Sequence, residues 1–203
     1  MLHNGQERPL IGVLALQGDF EAHLKALSKL GVATRAVKLP EHLTDLDGII
    51  IPGGESTTIG KLMVDYGLDR PLKSLIEQGL PVWGTCAGLI LLAKKTDNAL
   101  EGQPLLAVMN ITVRRNAFGS QRESFETDLS IPVLGETPFH AFFIRGPAIT
   151  EVGPGVEVLA TLDDGTIVAV REGNRLGTAF HPEVSRDPRF HHYFLRLVQS
   201  VRK

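Results

Sequence analysis

The sequence predicts an α/β fold in which helices cover both faces of a mostly parallel central sheet. Short apolar runs alternate with helix-like segments through the first half, as in parallel sheets with helical crossovers. The second half holds short alternating runs separated by turns, which indicate further strands, some of them antiparallel. The chain has 203 residues, 43% hydrophobic and 22% charged, so we expect one compact domain spanning residues 1–203.

Strand, loop and helix follow one another repeatedly in the first half. Asp19 precedes a run whose apolar residues recur at helical spacing, and Gly31 ends that run, so a helix is predicted between them. The other segments are read in the same way from apolar runs and turn residues. They are strands at 9–16, 32–37, 48–52 and 80–84, a helix after the loop at 53–56, and a helix at 70–79.

The second half predicts strands and one terminal helix. The strands are expected within 110–119, 124–131, 140–147, 156–162, 166–171 and 175–180. The last segment carries apolar residues on one helical face, with Asp187 expected as its cap and Pro188 as its first helical residue.

Charge and hydropathy limit the classes of function. The net charge of −2 and the isoelectric point near 6.4 disfavour nucleic acid or an anionic membrane as the main partner, so a small substrate is expected. No apolar run reaches the length of a membrane helix, and the first ten residues do not resemble a signal peptide. A cytoplasmic protein is therefore expected.

The single cysteine, Cys86, lies where a predicted strand meets a predicted helix that starts the segment AGLILLAKK. Gly84 and Gly88 flank it and permit close backbone approach or a positive φ. A thiol at a helix N-terminus on a sharp turn favours the thiolate, and the N–H of Ala87 would point at an oxyanion formed by attack on a carbonyl. The alternative is a buried structural cysteine, which is common.

The base expected to serve this nucleophile is His181. It ends a predicted strand, and in an extended segment Glu183 would lie on the same side and hold the imidazole in one tautomer. A surface turn is the alternative for His181 and Glu183. His140 is a rival base, although its strand pattern favours a packed or solvent-facing residue, and His191 and His192 cannot share a helical face. No His and Cys cluster has ligand spacing, so neither a metal site nor a cofactor is expected.

A glycine loop at residues 53 and 54 follows the third predicted strand. The segment up to Lys61 does not match a phosphate-binding loop, because five residues rather than four separate Gly54 from Gly60 and Leu62 replaces the required Ser or Thr. The backbone N–H groups of Gly53 and Gly54 are instead suited to an oxyanion or a substrate carboxylate.

PGGES, GTCAGL and FHPE occur in this order, each at the end of a predicted strand, and here the chain resembles the class I glutamine amidotransferases. Within them it is most similar to the glutaminase subunits of pyridoxal 5'-phosphate synthase. The segments that carry this similarity are GVLALQGDFEAH, PGGESTTIGKL, GTCAGLILLAK, RRNAFGSQRESFE, FIRGP and AFHPE, which span nearly the whole chain from Ile11 to Glu183.

The resemblance implies a three-layer, flavodoxin-like glutamine amidotransferase fold and hydrolysis of L-glutamine to glutamate and ammonia. The ammonia would pass to a (β/α)8-barrel pyridoxal 5'-phosphate synthase subunit, within a large hetero-oligomer, that uses ribose 5-phosphate and glyceraldehyde 3-phosphate. It further implies that the free glutaminase is nearly idle, because its oxyanion loop is completed only when the synthase docks.

By the same resemblance, Cys86 is the nucleophile that forms a glutamyl thioester, and His181 and Glu183 are the base and its partner. The residues that match a glutamine-binding stretch are Gly54, Glu55, Ser56, Arg115, Ile144 and Arg145. The chain departs from the expected pattern at Ser120, where an arginine is expected, and at Gly146, where an alanine is expected.

Two other classes of protein remain open from the sequence. A cysteine redox sensor or chaperone-like protein would oxidise its thiol without turning over glutamine. A non-catalytic binding subunit would keep the fold without activity, although the intact set of Cys86, His181 and Glu183 disfavours it. A peptidase ranks lower, because no extended peptide groove can be named.

Overall fold

A ten-stranded sheet forms the centre of the computed structural model, which describes residues 8–98, 100–118 and 124–202. The helices are α1 Phe20–Lys29, α2 Ser56–Asp65, α3 Asp69–Glu77, α4 Ala87–Leu92 and α5 Arg189–Val201, with short 3-10 helices at Pro40–Leu43 and Pro132–Leu134. The strands are β1 Leu10–Leu14, β2 Ala33–Val37, β3 Gly48–Ile51, β4 Val82–Thr85, β5 Ala93–Thr96, β6 Met109–Arg114, β7 Ser124–Leu129, β8 Phe139–Ile144, β9 Ala148–Val152, β10 Glu157–Thr161, β11 Ile167–Glu172 and β12 Arg175–Thr178.

The order of strands explains where the parallel and antiparallel parts lie. The path through the sheet is β2-β1-β3-β4-β12-β11-β9-β6-β5, and β10 pairs with β11. The five strands from β2 to β12 are parallel to one another, whereas β11 pairs antiparallel with both β12 and β9. β7 and β8 form a separate antiparallel pair. The predicted parallel core with added antiparallel strands is therefore confirmed.

Helices cover both faces of the sheet, as predicted. Trp83 on β4 is completely buried and packs against Phe190 and Phe194 of α5, with ring centroids 6.0 and 5.8 Å from its own. The next residue, Gly84, faces the other side of the sheet, where a Cβ atom would meet Gly88 and Leu92 of α4. α5 and α4 therefore lie on opposite faces.

The segment after Cys86 differs from its prediction. The helix ends at Leu92, and Ala93–Thr96 forms β5, whose partner is β6. Lys94 and Lys95 are exposed on this strand at the end of the strand order. Lysines are common on edge strands and suit helices equally well, so local sequence did not distinguish the two structures. β9 was also missed.

Two expected caps act differently from the prediction. The Asp19 side chain accepts no capping hydrogen bond from α1. The terminal helix α5 begins at Arg189 rather than at Pro188. Asp187 still serves its N-terminus, because it accepts the Arg189 N–H at 3.0 Å. No helix within the described ranges is long and apolar enough to cross a membrane.

We expect Phe194→Ala to lower the free energy of unfolding by about 3–5 kcal/mol, because it leaves a cavity beside Trp83 in the closed core. Urea unfolding followed by circular dichroism measures this change. Val201→Ala at the end of the same helix is the control, since Val201 is 47% exposed, and it should change the free energy by less than about 0.5 kcal/mol. Equal effects of the two substitutions would contradict the described packing of α5.

Candidate active site

Cys86 lies on a sharp turn between β4 and α4. Its φ of 47° is in the left-handed region, and its N–H donates to the carbonyl of Thr178 on the neighbouring strand β12 at 2.8 Å. A non-glycine residue pays a conformational cost in this region, so the surrounding contacts must hold it there. Cys86 is buried, with only 6% of the residue exposed.

Glycines on both sides of Cys86 allow this turn to pack. A Cβ atom on Gly88 would lie 2.0 Å from the Ile51 carbonyl oxygen, and one on Gly84 would lie 2.5 Å from the carbonyl carbon of Gly88. Neither glycine is among those with a positive φ. The close backbone approach predicted for them is therefore confirmed, while the positive φ belongs to Cys86 itself.

His181 and Glu183 form a hydrogen-bonded pair beside Cys86. His181 Nδ1 lies 2.7 Å from Glu183 Oε1, and both side chains are almost completely buried. The segment is a turn and not the extended strand that was expected, because the Val184 N–H donates to the His181 carbonyl. With Nδ1 bound to the carboxylate, Nε2 is the ring nitrogen available to the thiol.

The charges of these buried groups stabilise one another. Burial by itself lowers the pKa of His181, but hydrogen bonds with Cys86 and Glu183 outweigh the effect of burial and raise the pKa to about 10. Burial likewise raises the pKa of the Glu183 carboxyl, but interactions with His23 and His181 lower it well below its usual range. An imidazolium between a thiolate and a carboxylate accounts for both directions.

The glycine loop lies directly against the imidazole. A Cβ atom on Gly53 would be 2.5 Å from His181 Cε1. The Gly53 carbonyl accepts the Asp19 N–H at 3.0 Å, and the peptide that follows is trans, so the N–H of Gly54 points away from Asp19. Gln17 Oε1 accepts the Glu55 N–H at 2.8 Å and ties the same loop to the segment before α1.

Three of the residues expected to bind glutamine form one network. Arg115 Nη2 lies 3.1 Å from Glu55 Oε1, and Arg115 Nη1 donates to Gln103 Oε1 at 3.1 Å. The Gln103 amide in turn donates to Ser56 Oγ at 3.1 Å. Glu55 also caps α2 by accepting the N–H groups of Thr57 and Thr58. This network therefore joins a loop after β3 to the end of β6.

Ile144 and Arg145 lie at the end of β8. The Ile144 carbonyl lies 3.9 Å from Cys86 Sγ and can accept a hydrogen bond from the thiol. Arg145 has a φ of 45° and an exposed side chain. Gly146 follows, and a Cβ atom there would lie 3.2 Å from the Ala179 carbonyl oxygen. An alanine at this position would therefore require its neighbours to shift by a few tenths of an ångström. Ser120 falls outside the described residues.

The rival base His140 has partners of its own on the surface, and the one candidate group of metal ligands in the described residues includes His181 and Glu183 themselves. His140 is exposed on β8 and contacts Asp128 and Glu126. Asp19 Oδ2 lies 3.7 Å from His181 Nδ1, and with Glu183 these groups offer three ligand atoms within 4.8 Å of one another. Because His181 and Glu183 are already bound to each other, this group belongs to the site of Cys86.

Sequence reasoning missed three polar residues of this region: Gln17, His23 and Gln103. His23 shares a helical face with Phe20 and Leu27, so a polar residue within the apolar stripe was the available signal. Gln17 follows β1 at the edge of the sheet where the other site loops lie. Gln103 carried no comparable signal, since it lies in the irregular connection between β5 and β6.

Comparison with protein families matches residues 13–200 to the SNO glutamine amidotransferase family. Among curated proteins, pyridoxal 5'-phosphate synthase subunit PdxT of Herpetosiphon aurantiacus is 60% identical over 188 residues, which cover 92% of this chain and 99% of that protein. The protein of the same name from Moorella thermoacetica is 56% identical over 188 residues, covering 93% of this chain and 98% of that protein.

Solved structures agree with this assignment of the fold. A crystal structure of a glutamine amidotransferase superposes with a TM-score of 0.88 at 50% identity, covering 93% of this chain and 98% of that one. A chain in the structure of PurLQS from Thermotoga maritima has a TM-score of 0.68 at 16% identity, covering 94% and 99%, and supports the fold alone.

We expect Cys86→Ala to lower the pKa of His181, which is about 10 in the intact site, because it removes the hydrogen bond and the opposite charge that raise it. In the intact site the imidazolium persists through neutral pH and is lost as the pH rises through that value. Titration of ¹³C-labelled histidine by NMR measures the change. Exposed His140 is the internal control and should titrate identically in both proteins. An unchanged His181 titration in Cys86→Ala would show that thiol and imidazole are not coupled.

Proposed function

The chain belongs to the SNO glutamine amidotransferase family, and from this premise we propose that residues 1–203 form one glutaminase domain, the glutaminase subunit of pyridoxal 5'-phosphate synthase. It hydrolyses L-glutamine to L-glutamate and ammonia. The observation that carries the proposal is the buried Cys86 elbow beside a hydrogen-bonded His181 and Glu183 pair. Nucleophile, base and orienting carboxylate are the groups that amide hydrolysis through a thioester requires.

In the first half of the reaction, the Cys86 thiolate attacks the carbon of the glutamine side-chain amide. The resulting oxyanion accepts hydrogen bonds from the Ala87 N–H, which has no acceptor within its helix, and from the loop of Gly53 and Gly54. The His181 imidazolium gives its proton to the amide nitrogen. The bond between carbon and nitrogen then breaks, ammonia leaves, and a glutamyl thioester remains on Cys86.

In the second half, the same imidazole acts as the base. Neutral His181 takes a proton from water, and the hydroxide attacks the thioester carbon. Collapse of the second oxyanion expels the Cys86 thiolate and releases glutamate, while the imidazolium is restored. Glu183 holds Nδ1 throughout, so Nε2 always faces the reacting atoms.

The network around Arg115 suits the amino-acid end of glutamine. Arg115 and Glu55 present opposite charges 3.1 Å apart, which complements the α-carboxylate and α-ammonium of a free amino acid. Gly54, Ser56, Ile144 and Arg145 complete the proposed binding set around the thiol. Ammonia would pass to a (β/α)8-barrel synthase subunit in a hetero-oligomer in the cytoplasm, and docking of that subunit would complete the oxyanion loop.

The first test is glutamate release from L-glutamine by the chain with and without the synthase subunit. We expect synthase-dependent release that Cys86→Ala reduces by more than about 1000-fold, because no other thiol replaces the nucleophile. Co-purification with the synthase should be equal for both proteins, which separates lost chemistry from lost docking. If the intact chain with its partner releases no more glutamate than Cys86→Ala, the glutaminase proposal is wrong, and a redox or binding role takes its place.

A second test addresses substrate binding. Arg115→Ala should raise the KM for glutamine by about tenfold to about hundredfold with a smaller change in kcat, because a hydrogen-bonded ion pair to the substrate is lost in both ground and transition states. Arg114→Ala is the matched control. Arg114 is the neighbouring residue, is 57% exposed and contacts Asp97, so its loss should leave the KM within about twofold. An equal KM in the two variants would remove Arg115 from the binding site.

A further inference from the structure

His23 is a buried histidine on α1 that the mechanism above does not use. Its side chain is completely buried, and it lies at the edge of the Trp83 ring with 5.5 Å between ring centroids. A buried imidazole has two polar nitrogens that need partners, so its presence in an apolar stripe calls for a reason beyond packing. Both nitrogens have partners here, and both partners bear on the site.

One nitrogen of His23 contacts two parts of the site. His23 Nε2 is 3.3 Å from Thr85 Oγ1 and also 3.3 Å from Glu183 Oε2. Thr85 immediately precedes Cys86, whereas Glu183 holds the base His181. A single ring nitrogen therefore lies between the strand end that presents the thiol and the carboxylate that orients the imidazole.

The second carboxylate oxygen of Glu183 depends on this contact. Oε1 is bound to His181, but Oε2 is buried and has no hydrogen bond of regular geometry. Its contact with His23 Nε2 is an ion-pair distance of 3.3 Å, equal to the distance from the same nitrogen to Thr85 Oγ1. A buried carboxylate oxygen without a positive or polar neighbour is strongly destabilised. Without His23, the ionised form of Glu183 would therefore be less favourable.

His191 on α5 determines which side of His23 carries a proton. Its Nε2 lies 3.2 Å from His23 Nδ1. Burial and the neighbouring His23 together lower the pKa of His191 to about 3, so this ring is neutral near pH 7. A neutral His191 either donates to Nδ1 of neutral His23 or accepts from protonated His23. In both arrangements Nε2 of His23 carries hydrogen toward Glu183, whereas the remaining tautomer would turn a lone pair toward the carboxylate.

We propose that His23, held by His191, is a positioning residue of the active site that keeps Glu183 ionised and fixes it relative to the strand end that carries Cys86. The proposal rests on the proposed glutaminase function for its kinetic readout. His23 touches neither the substrate nor the reacting atoms, so it acts through Glu183 and Thr85. A histidine with only a packing role would not influence the pH dependence of the site.

Several other titratable groups face His181 and His23 and contribute to the pH dependence of the site. Cys86 and Glu183 face His181, and Asp19 lies 3.7 Å from its Nδ1 at the start of α1. His191 faces His23 from α5, and the charge of His192 acts on His191. Losing His23 raises the pKa of Glu183, because His23 is among the groups that lower it. The acid limb of the rate profile, where the Glu183 carboxylate is lost, then moves to higher pH.

The test compares His23→Leu, which removes both nitrogens, with His23→Gln, which keeps a side-chain N–H donor. With the synthase present, His23→Leu should lower kcat by about tenfold to about hundredfold, change KM by less than about twofold, and move the acid limb of kcat/KM to higher pH. His23→Gln should restore much of kcat and the position of the limb. His140→Gln, an exposed histidine with carboxylate neighbours, is the matched control and should match the intact chain.

Several outcomes would overturn the proposal. An unchanged kcat and acid limb in His23→Leu would do so, as would equal losses in His23→Leu and His23→Gln with the limb unmoved, which would indicate packing alone. Circular dichroism establishes folding first. If His23→Leu does not fold, His191→Phe decides, because it fills the volume but removes the partner of His23 Nδ1. The proposal then requires His191→Phe to move the acid limb of kcat/KM and His23→Gln to leave that limb in place.

Alkylation of Cys86 by iodoacetamide in the free chain separates this inference from the proposed function. The rate reports the thiolate, which is stabilised by the imidazolium that Glu183 supports. The acid limb of the pH profile of this alkylation rate should move to higher pH in His23→Leu and stay at the position of the intact chain in His23→Gln and His140→Gln. If the intact chain with synthase makes no glutamate, the glutaminase proposal fails while this measurement still decides the role of His23. If glutamate is made but neither limb moves, only the positioning role is wrong.

Discussion

The close approach of α4 to the end of β3 is the constraint on which the rest of the site depends. Gly88 lies so near the Ile51 carbonyl that no larger residue fits, and this contact sets where the helix after Cys86 begins. The chain must then turn within one residue, which places Cys86 at a φ of 47°. The strain is held by the hydrogen bond to Thr178 and by the closed packing on both sides.

The parallel part of the sheet gathers the remaining groups at one edge. β1, β3, β4 and β12 run in the same direction, so the segments that follow them emerge together. These segments are the start of α1, the glycine loop, the elbow of Cys86 and the turn of His181 and Glu183. The start of α1 binds the glycine loop through the Asp19 N–H and carries His23 into the core one turn later. Strand order therefore assembles a site from four segments distant in sequence.

The buried charges of the site supply its chemistry, and each of them needs a neighbouring group that stabilises it. Glu183 has an imidazole near each of its two oxygens, and His181 lies between this carboxylate and the thiol. Each charge is tolerable only because an opposite or polar group faces it. The groups of the described chain whose pKa values depart furthest from their ordinary values are consequently found where a nucleophile and a base are needed. Such a concentration is typical of a catalytic site.

The sequence by itself determined the alternating strands and helices and the elbow at Cys86, because periodicity and small flanking residues are local properties. It also predicted that His181 pairs with Glu183, although through an extended strand where the structure has a turn. It did not determine that α4 stops at Leu92 or that β5 and β9 join the sheet, because strand pairing depends on partners elsewhere in the chain. Only the tertiary structure placed His23 against Glu183 and Arg115 against Glu55. Those contacts join residues far apart in sequence, and strand order and helix packing, rather than local propensity, decide which buried polar groups meet.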